Sequence, residues 1–304
     1  MNISALVIGY GSIGSRHARI LKDMDIVDNV TILSSQKNLP FVTIHALDEI
    51  IEIDPDYIVI ASNTALHFKH LSYLEENFEN KNILVEKPLF DTAYEFSPVR
   101  NSVWVAYVLR FHPVLKLIKK KISQKKLWNI NVFCGSYLPE WRSGRDYRET
   151  SSAMKESGGG VLLDLSHELD YVQWLIGPLK VDYVFNNKIS SLEIETDDFL
   201  TMNGHTDHGV LVHISLNYFT RKPIRQIIID GENISIQADL VSNQAVVHED
   251  GKVREYSWKE VEMDQIYREE HEAVISARNN LACTYAQGFE TMDLIDRIKG
   301  FNSI

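Results

Sequence analysis

Residues 9–14 read Gly9-Tyr10-Gly11-Ser12-Ile13-Gly14, directly after the apolar run Ile3 to Ile8 and directly before a helical pattern from about Ile13 to Met24. Each glycine of a G-x-G-x-x-G turn in that position has a task. The first permits the tight turn, the second lets backbone approach a pyrophosphate, and the third allows close helix–strand contact, while the helix N-terminus supplies N–H donors and a positive dipole. The spacing predicts a dinucleotide site. After the second strand the chain reads Leu33-Ser34-Ser35-Gln36-Lys37, where an NAD site usually has a carboxylate for the ribose hydroxyls. A carboxylate there would repel a 2′-phosphate. Hydroxyls near a lysine favour NADP slightly, although Ser and Gln also suit the unphosphorylated ribose of NAD.

Two further groups carry chemistry. Asp164, His167, Glu168 and Tyr171 fall at i, i+3, i+4 and i+7, so one continuous helix would show them on one face as a polar wall beside the apolar stripe Leu162, Leu165, Leu169 and Val172. The segment from Trp141 to Arg148 has the arginines Arg142, Arg145 and Arg148 and the aromatics Trp141 and Tyr147 in an apparent loop. Arginine forks bind carboxylate or phosphate bidentately and aromatics stack on sugar or base faces, so an anionic sugar or nucleotide sugar suits this loop. Pairing of these arginines with the chain's surplus carboxylates is the competing account. Six lysines between Lys116 and Lys126 cover the polar side of an apolar stripe and read as a solvated helix face.

The elements that position these residues fall into two regimes. Over the first 110 residues short apolar runs alternate with helical segments, including Val30 to Leu33, Tyr57 to Ala61, Asn82 to Val85 and Val103 to Val108, with helices at Leu47–Ile53 and Ala65–Asn77. That alternation predicts a six-stranded, doubly wound parallel sheet. Beyond Pro113 longer alternating strands such as Val210 to Phe219 and Gln226 to Asp230 predict an α+β domain on an open, mostly antiparallel sheet, closed by helices at Tyr267–Asn279 and Gly288–Lys299. The expected domains are 1–110 and 111–304.

Composition removes several function classes. The 304 residues hold 31 Lys and Arg against 42 Asp and Glu, a net charge of −11, which argues against nucleic acid, whose binding rests on neutralised phosphates. The longest uncharged run, Met1 to Ser15, has three glycines and no basic start, so neither a signal peptide nor a membrane span is expected. Cys134 and Cys283 belong to no ligand-spaced set, and no histidine pattern suggests a metal. Both read as buried thiols of a cytoplasmic protein.

Five blocks in order, Gly9-Tyr-Gly-Ser-Ile-Gly14, Ser62-Asn63-Thr64-Ala-Leu-His67, Glu86-Lys87-Pro88, Tyr107-Val-Leu-Arg110-Phe-His-Pro113 and the glycine-rich run from Gly158 to Asp170, resemble the Gfo/Idh/MocA family of oxidoreductases. The resemblance implies a Rossmann domain followed by an α/β domain whose open sheet often forms oligomer contacts, here a homodimer or homotetramer, and NAD(P)-linked chemistry on sugars and their derivatives. Carried over by position, Lys87 is similar to the family's active-site lysine, between nicotinamide and substrate hydroxyl, and Asp164 and His167 resemble the Asp and His of the glycine-rich block. The commonest spelling separates those two by four residues and this chain by three, which leaves the direction of the imidazole open. Members with the shorter spelling also resemble Tyr137 to Arg142 and look like enzymes of surface-glycan or nucleotide-sugar metabolism. The resemblance implies cofactor contacts at Gly9 to Gly14, Ser34, Ser35, Ser62, Asn63, Thr64, His67, Glu86 and Lys87, and substrate contacts at Tyr107, Arg110, Trp141, Arg142, Arg145 and Tyr147.

Hydride transfer from a carbinol carbon leaves a hydroxyl proton that some group must take. An imidazole titrating near neutrality suits that step, so His167 is the expected proton carrier with Lys87 assisting. Two other outcomes fit the same residues: a dinucleotide-binding regulator that catalyses nothing, and an enzyme using tightly held NAD for elimination or epimerisation.

Overall fold

The central strands of the first sheet are apolar on both faces, as a parallel sheet covered by helices requires. In the computed structural model, which describes residues 2–142, 144–277 and 280–301, these are β1 (Ile3–Ile8) and, after α1 (Ser12–Lys22), β2 (Val27–Leu33), β3 (Val42–Ile44) and α2 (Ile50–Ile53), the strand β4 (Tyr57–Ile60). Helix α3 (His67–Asn77), β5 (Asn82–Glu86) and β6 (Ser102–Ala106) follow. The parallel order is β6-β5-β4-β1-β2-β3, with the reversal at β1 and β4 that defines a Rossmann sheet. Register sets which residues share an edge. Ile8 lies opposite both Leu33 and Ile60, and Ile60 opposite Val85. Gly9, Ser34, Ala61 and Glu86 therefore leave the sheet at one carboxyl edge, where an open α/β sheet binds its ligand.

The second sheet has the predicted alternation. Helix α4 (Pro113–Ile122) precedes β7 (Leu127–Gly135), and α5 (Val161–Asp164) and α6 (His167–Ile176) precede β8 (Lys180–Asn187), β9 (Phe199–His205) and β10 (Leu211–Asn217). Then come β11 (Ile224–Gly231), β12 (Ile234–Asp239), β13 (Gln244–Glu249) and β14 (Lys252–Ser257). The order is β14-β13-β12-β11-β7-β10-β9-β8, antiparallel except for β7 beside β10. Ile130, Val132 and Cys134 of β7 and Val212, Ile214 and Leu216 of β10 are buried, whereas Trp128, Phe133, Tyr183, Phe185, Leu211 and Ile228 are exposed. The lysine-rich helix is partly paired: Lys121 and Lys125 meet Glu249, and Lys119 donates to the Trp174 carbonyl.

The chain then returns. Helix α7 (Met263–Ser276) packs on α1, β15 (Cys283–Thr284) adds to β6 as an antiparallel edge strand, and α8 (Tyr285–Phe301) follows. A single cut after residue 110 therefore misses this segment: one compact unit comprises Met1–Phe111 with Glu262–Phe289, the other His112–Val261 with Glu290–Ile304. Gly288 permits part of this return, since a Cβ there would lie 2.3 Å from Val105 Cγ2. The helix expected to reach Asn279 ends at Ser276, and its last two residues, Arg278 and Asn279, lie outside the described residues.

The helix expected to run through Asp164 and Tyr171 is broken at Leu165 and Ser166. Glu168 is 0% exposed and receives the Arg225 fork on Oε1 at 2.6 Å and Oε2 at 3.3 Å, and Tyr171 is buried too. Neither belongs to a solvent-facing polar wall. Removing one partner of a buried pair leaves an uncompensated charge, so Glu168→Leu is expected to lower stability by about 3–5 kcal/mol, read by urea unfolding. A wild-type midpoint would contradict the role of the pair.

Burial also holds several imidazoles below their ordinary value: His67, His271 to a large degree, and His70 and His112 each down to about 4. Below pH ~6.5 the unfolded chain binds protons that the folded chain refuses. Stability is thus expected to be full above that pH and to fall as pH drops toward 4, seen as a decreasing urea midpoint between pH 7 and 5. A flat profile would show that these rings are not held neutral.

Candidate active site

The glycine turn separates two kinds of need. Gly9 has φ +99° and a Cβ there would sit 2.6 Å from the Ala61 carbonyl oxygen; at Gly14 it would sit 2.2 Å from the Gly9 carbonyl oxygen. The fold itself requires both. At Gly11 an added Cβ meets nothing within 4 Å, so the small residue there serves the open space in front of α1. That helix begins at Ser12 with no side-chain cap and no acidic residue in its first turn, so its orphan N–H groups and dipole favour an anion. A dinucleotide pyrophosphate fits this cradle.

Beside it, Gln36 Nε2 donates to the Tyr10 carbonyl at 2.9 Å and the Gln36 N–H to Ser34 Oγ at 3.1 Å, which ties the serines to the glycine turn. Ser34 is half-buried and Ser35 exposed. The loop after β4 is held differently. Ser62 Oγ lies 3.0 Å from His70 Nδ1, and Asn63 and Thr64 open a short helical turn before α3. His67, expected to touch the cofactor, is buried, with Nε2 at 3.0 Å from the Ser62 carbonyl and Nδ1 at 3.1 Å from the Pro88 carbonyl. It is a structural histidine that ties this loop to the one after β5.

Lys87 stands where that second loop opens. From Ile83 to Phe90 every residue is buried except Lys87, and the Lys87–Pro88 peptide is cis. Glu86, also expected at the cofactor, is turned inward: Oε2 accepts the Lys87 N–H at 3.0 Å, and Oε1 lies 2.8 Å from His17 Nε2. His17 and His271 are both 0% exposed and 3.0 Å apart, and His271 Nδ1 lies 2.8 Å from the Tyr57 hydroxyl. Sequence pattern alone did not single out these three. A histidine on the apolar side of the helix, three residues after Gly14, was the available signal. Tyr107 and Arg110, expected at the substrate, are buried as well, and Arg110 (2% exposed) donates to Gln287 Oε1 at 2.7 Å. Arg110 braces β15 and α8 within its own unit.

In the second unit the glycine run shapes the approach to α5. Gly158 and Gly160 have positive φ, and a Cβ at Gly160 would lie 2.2 Å from Asp197 Oδ1. Asp197 Oδ2 accepts the Leu162 N–H at 3.0 Å; burial raises its carboxyl above the ordinary range, with Asp164 adding to that rise. Asp164 and His167 alone are not buried between Val161 and Leu175. The Tyr218 hydroxyl, buried and unforeseen from sequence, donates to Asp164 Oδ2 at 2.6 Å, and Trp141 meets the Tyr218 ring edge-on at 5.1 Å. Trp141, Arg142, Arg145 and Tyr147 line a cleft with Leu138 and Ser152 that encloses about 10 Å³, room for one water. Arg148 is paired with Asp146 and Glu193, so the loop divides into one structural arginine and two at the cleft. Ser143, inside this loop, lies outside the described residues.

A Rossmann unit with a dinucleotide cradle, followed by an eight-stranded α/β unit, defines a class of nicotinamide-linked oxidoreductase. Two family models match: the NAD-binding Rossmann fold of the Gfo/Idh/MocA oxidoreductases over residues 3–101, and their C-terminal alpha/beta domain over 119–299. The chain belongs to this family. Among curated proteins it is 29% identical to levoglucosan dehydrogenase of Pseudarthrobacter phenanthrenivorans over 133 residues, 41% of this chain and 34% of that protein. It is 23% identical to 2,7-anhydro-N-acetylneuraminate hydratase of Escherichia coli over 271 residues, covering 82% of this chain and 71% of the relative. Similar solved structures include levoglucosan dehydrogenase with NADH (TM-score 0.86, 17% identity, 99% and 97% coverage). Another is UDP-N-acetylglucosamine 3-dehydrogenase from Acidithiobacillus ferrooxidans (TM-score 0.80, 16% identity, 99% and 98% coverage).

The glycine geometry yields a paired test. Gly11→Val is expected to fold with an unchanged melting temperature yet bind NADH at least about 10-fold more weakly, a loss of roughly 1.4 kcal/mol. Gly14→Val is expected to lose stability through the clash with the Gly9 carbonyl. Wild-type NADH affinity in Gly11→Val, by fluorescence titration, would show that the cradle does not hold the pyrophosphate.

Proposed function

We propose that the chain moves a hydride between NAD(P) and a hydroxyl or keto carbon of a sugar or nucleotide-sugar derivative, with Lys87, Asp164 and His167 at the chemistry, in surface-glycan metabolism. The observation that carries the reading is the pattern of exposure: these three residues are half-buried within runs that are otherwise buried. A nicotinamide dinucleotide bound at the Gly11 turn supplies the hydride acceptor or donor.

His167 takes the hydroxyl proton during oxidation and returns it during reduction. Asp164, steadied by Tyr218, holds the substrate hydroxyls, and the Lys87 ammonium polarises the reacting oxygen. Arg142 and Arg145, exposed at the cleft rim, receive an anionic group of the substrate, and Trp141 and Tyr147 flank them. Serines without a carboxylate after β2 support NADP alongside NAD. Two buried free thiols support a reducing compartment such as the cytoplasm, and the apolar open face of the second sheet supports a homo-oligomer.

One relative favours a second reading. The name of the Escherichia coli protein is that of a hydratase, a non-redox outcome, and the same residues would serve an enzyme that holds NAD tightly and returns it unchanged.

Thermal-shift titration with NAD+ and NADP+, then nicotinamide absorbance assays across levoglucosan, sugar acids and nucleotide sugars, tests the proposal. Lys87→Ala is expected to bind nucleotide normally and to lose turnover by at least about 100-fold. Unchanged turnover in that variant would remove Lys87 from the chemistry. Product formed without net change in the cofactor would decide for the second reading.

A further inference from the structure

We propose that Tyr57, His271 and His17 form a one-way chain of hydrogen-bond donors that fixes the Glu86 carboxylate, and through it the backbone of Lys87. They are thus positioning residues for the lysine placed at the chemistry, and the proposal rests on that assignment. All five residues lie in the first unit, on β4, α7, α1 and the end of β5.

The direction follows from which atoms hold protons. Burial, reinforced by the Glu270 carboxylate, keeps the Tyr57 phenol well above its ordinary value and therefore protonated. Burial, with the His17 ring beside it, keeps His271 well below its ordinary value and therefore neutral. Tyr57 O–H donates to His271 Nδ1 at 2.8 Å. A neutral imidazole that accepts at Nδ1 carries its proton on Nε2, so His271 donates to His17 Nδ1 at 3.0 Å. By the same step His17 donates from Nε2 to Glu86 Oε1 at 2.8 Å, and Oε2 is left to accept the Lys87 N–H at 3.0 Å.

The reverse chain fails at its far end. With every proton moved along by one, Glu86 would be neutral and Tyr57 would be a buried phenolate accepting from His271, a charge that burial and the Glu270 carboxylate both oppose. The chain therefore carries no proton to solvent and has one ground state. Its effect is to hold the carboxylate plane, and the peptide hanging from it, in one orientation. Burying three such polar side chains behind Glu86 has no packing rationale, because apolar side chains would fill the same space without needing partners. Tyr267, edge-on to His17 at 5.4 Å, walls the chain on one side.

Long-range proton–nitrogen NMR spectra of the histidine rings, with no nucleotide added, test the chain directly. Neutral Nε2–H tautomers are expected at both His17 and His271, and an Nδ1–H tautomer at either ring overturns the proposal. Tyr57→Phe deletes one oxygen and is expected to mix the His271 tautomers and to shift the Lys87 backbone amide resonance. On the sugar selected by the absorbance assays, Tyr57→Phe and His17→Leu are each expected to lower kcat by about 10- to 100-fold while KM and the NADH Kd change less than about twofold. His17→Gln, whose amide can still donate to Glu86, is expected to recover part of the loss. Should His17→Leu fail to fold, Tyr57→Phe carries the test alone.

A lower melting temperature with unchanged kcat and an unmoved Lys87 amide would make the chain merely structural and overturn the proposal. Lys87→Ala run in parallel separates the two ideas. Loss of turnover there with wild-type kcat in Tyr57→Phe overturns the chain alone, whereas full turnover there overturns the assignment of Lys87 and this role with it.

Discussion

The close passage of Gly9 by the Ala61 carbonyl is the constraint on which the nucleotide end of the molecule depends. Adjacent parallel strands β1 and β4 deliver these residues side by side, and only a chain without a Cβ at Gly9 can turn there into α1. Once that turn is made, Gly14 lies against the Gly9 carbonyl, the first turn of α1 faces open space, and Gln36 reaches back to Tyr10. The strand register then brings Glu86 and Lys87 out at the same edge. One steric condition thus orders the glycine turn, the serines after β2 and the lysine.

The second unit is organised by hydrogen-bonded carboxylates instead. Asp197 holds the start of α5 through the Leu162 N–H, and Gly160 lets the chain pass its side chain. Glu168 anchors α6 to β11 through Arg225, while Tyr218 binds Asp164. These contacts fix the two ends of the break at Leu165 and Ser166. Asp164 and His167 lie on either side of that break, where they keep partial exposure while their neighbours are buried. The three-residue spacing between them is therefore read across a turn rather than along a helix.

Burial does different things to different ionisable groups here. For Cys134 it pushes the thiol up to about 12, with Glu168 contributing, so this cysteine is inert packing. For His67 it favours the neutral ring that joins two loops by their backbone. His17, His67 and His271 are thus structural rings, fully buried or nearly so, whereas His167 is half-buried.

Much of the fold was legible from local pattern. Continuous apolar strands and the glycine spacing after residue 8 specify a parallel sheet with a nucleotide turn, because pleat, helix period and glycine sterics act over a few residues. Lys87, Asp164 and His167 were legible as candidates through their motifs. What no local pattern contains is the return of α7 and β15 to the first sheet, since the partners of Cys283 and His271 lie far away in sequence. For the same reason Arg110, Glu86 and His67 looked like ligand contacts and proved to hydrogen-bond within their own unit, and Tyr218 and Tyr57 stood out only as members of strands. Residue type and spacing determined which groups were capable of chemistry. Only tertiary structure decided which of them are buried against one another and which stay open, because burial and hydrogen-bond partners are set by distant segments meeting.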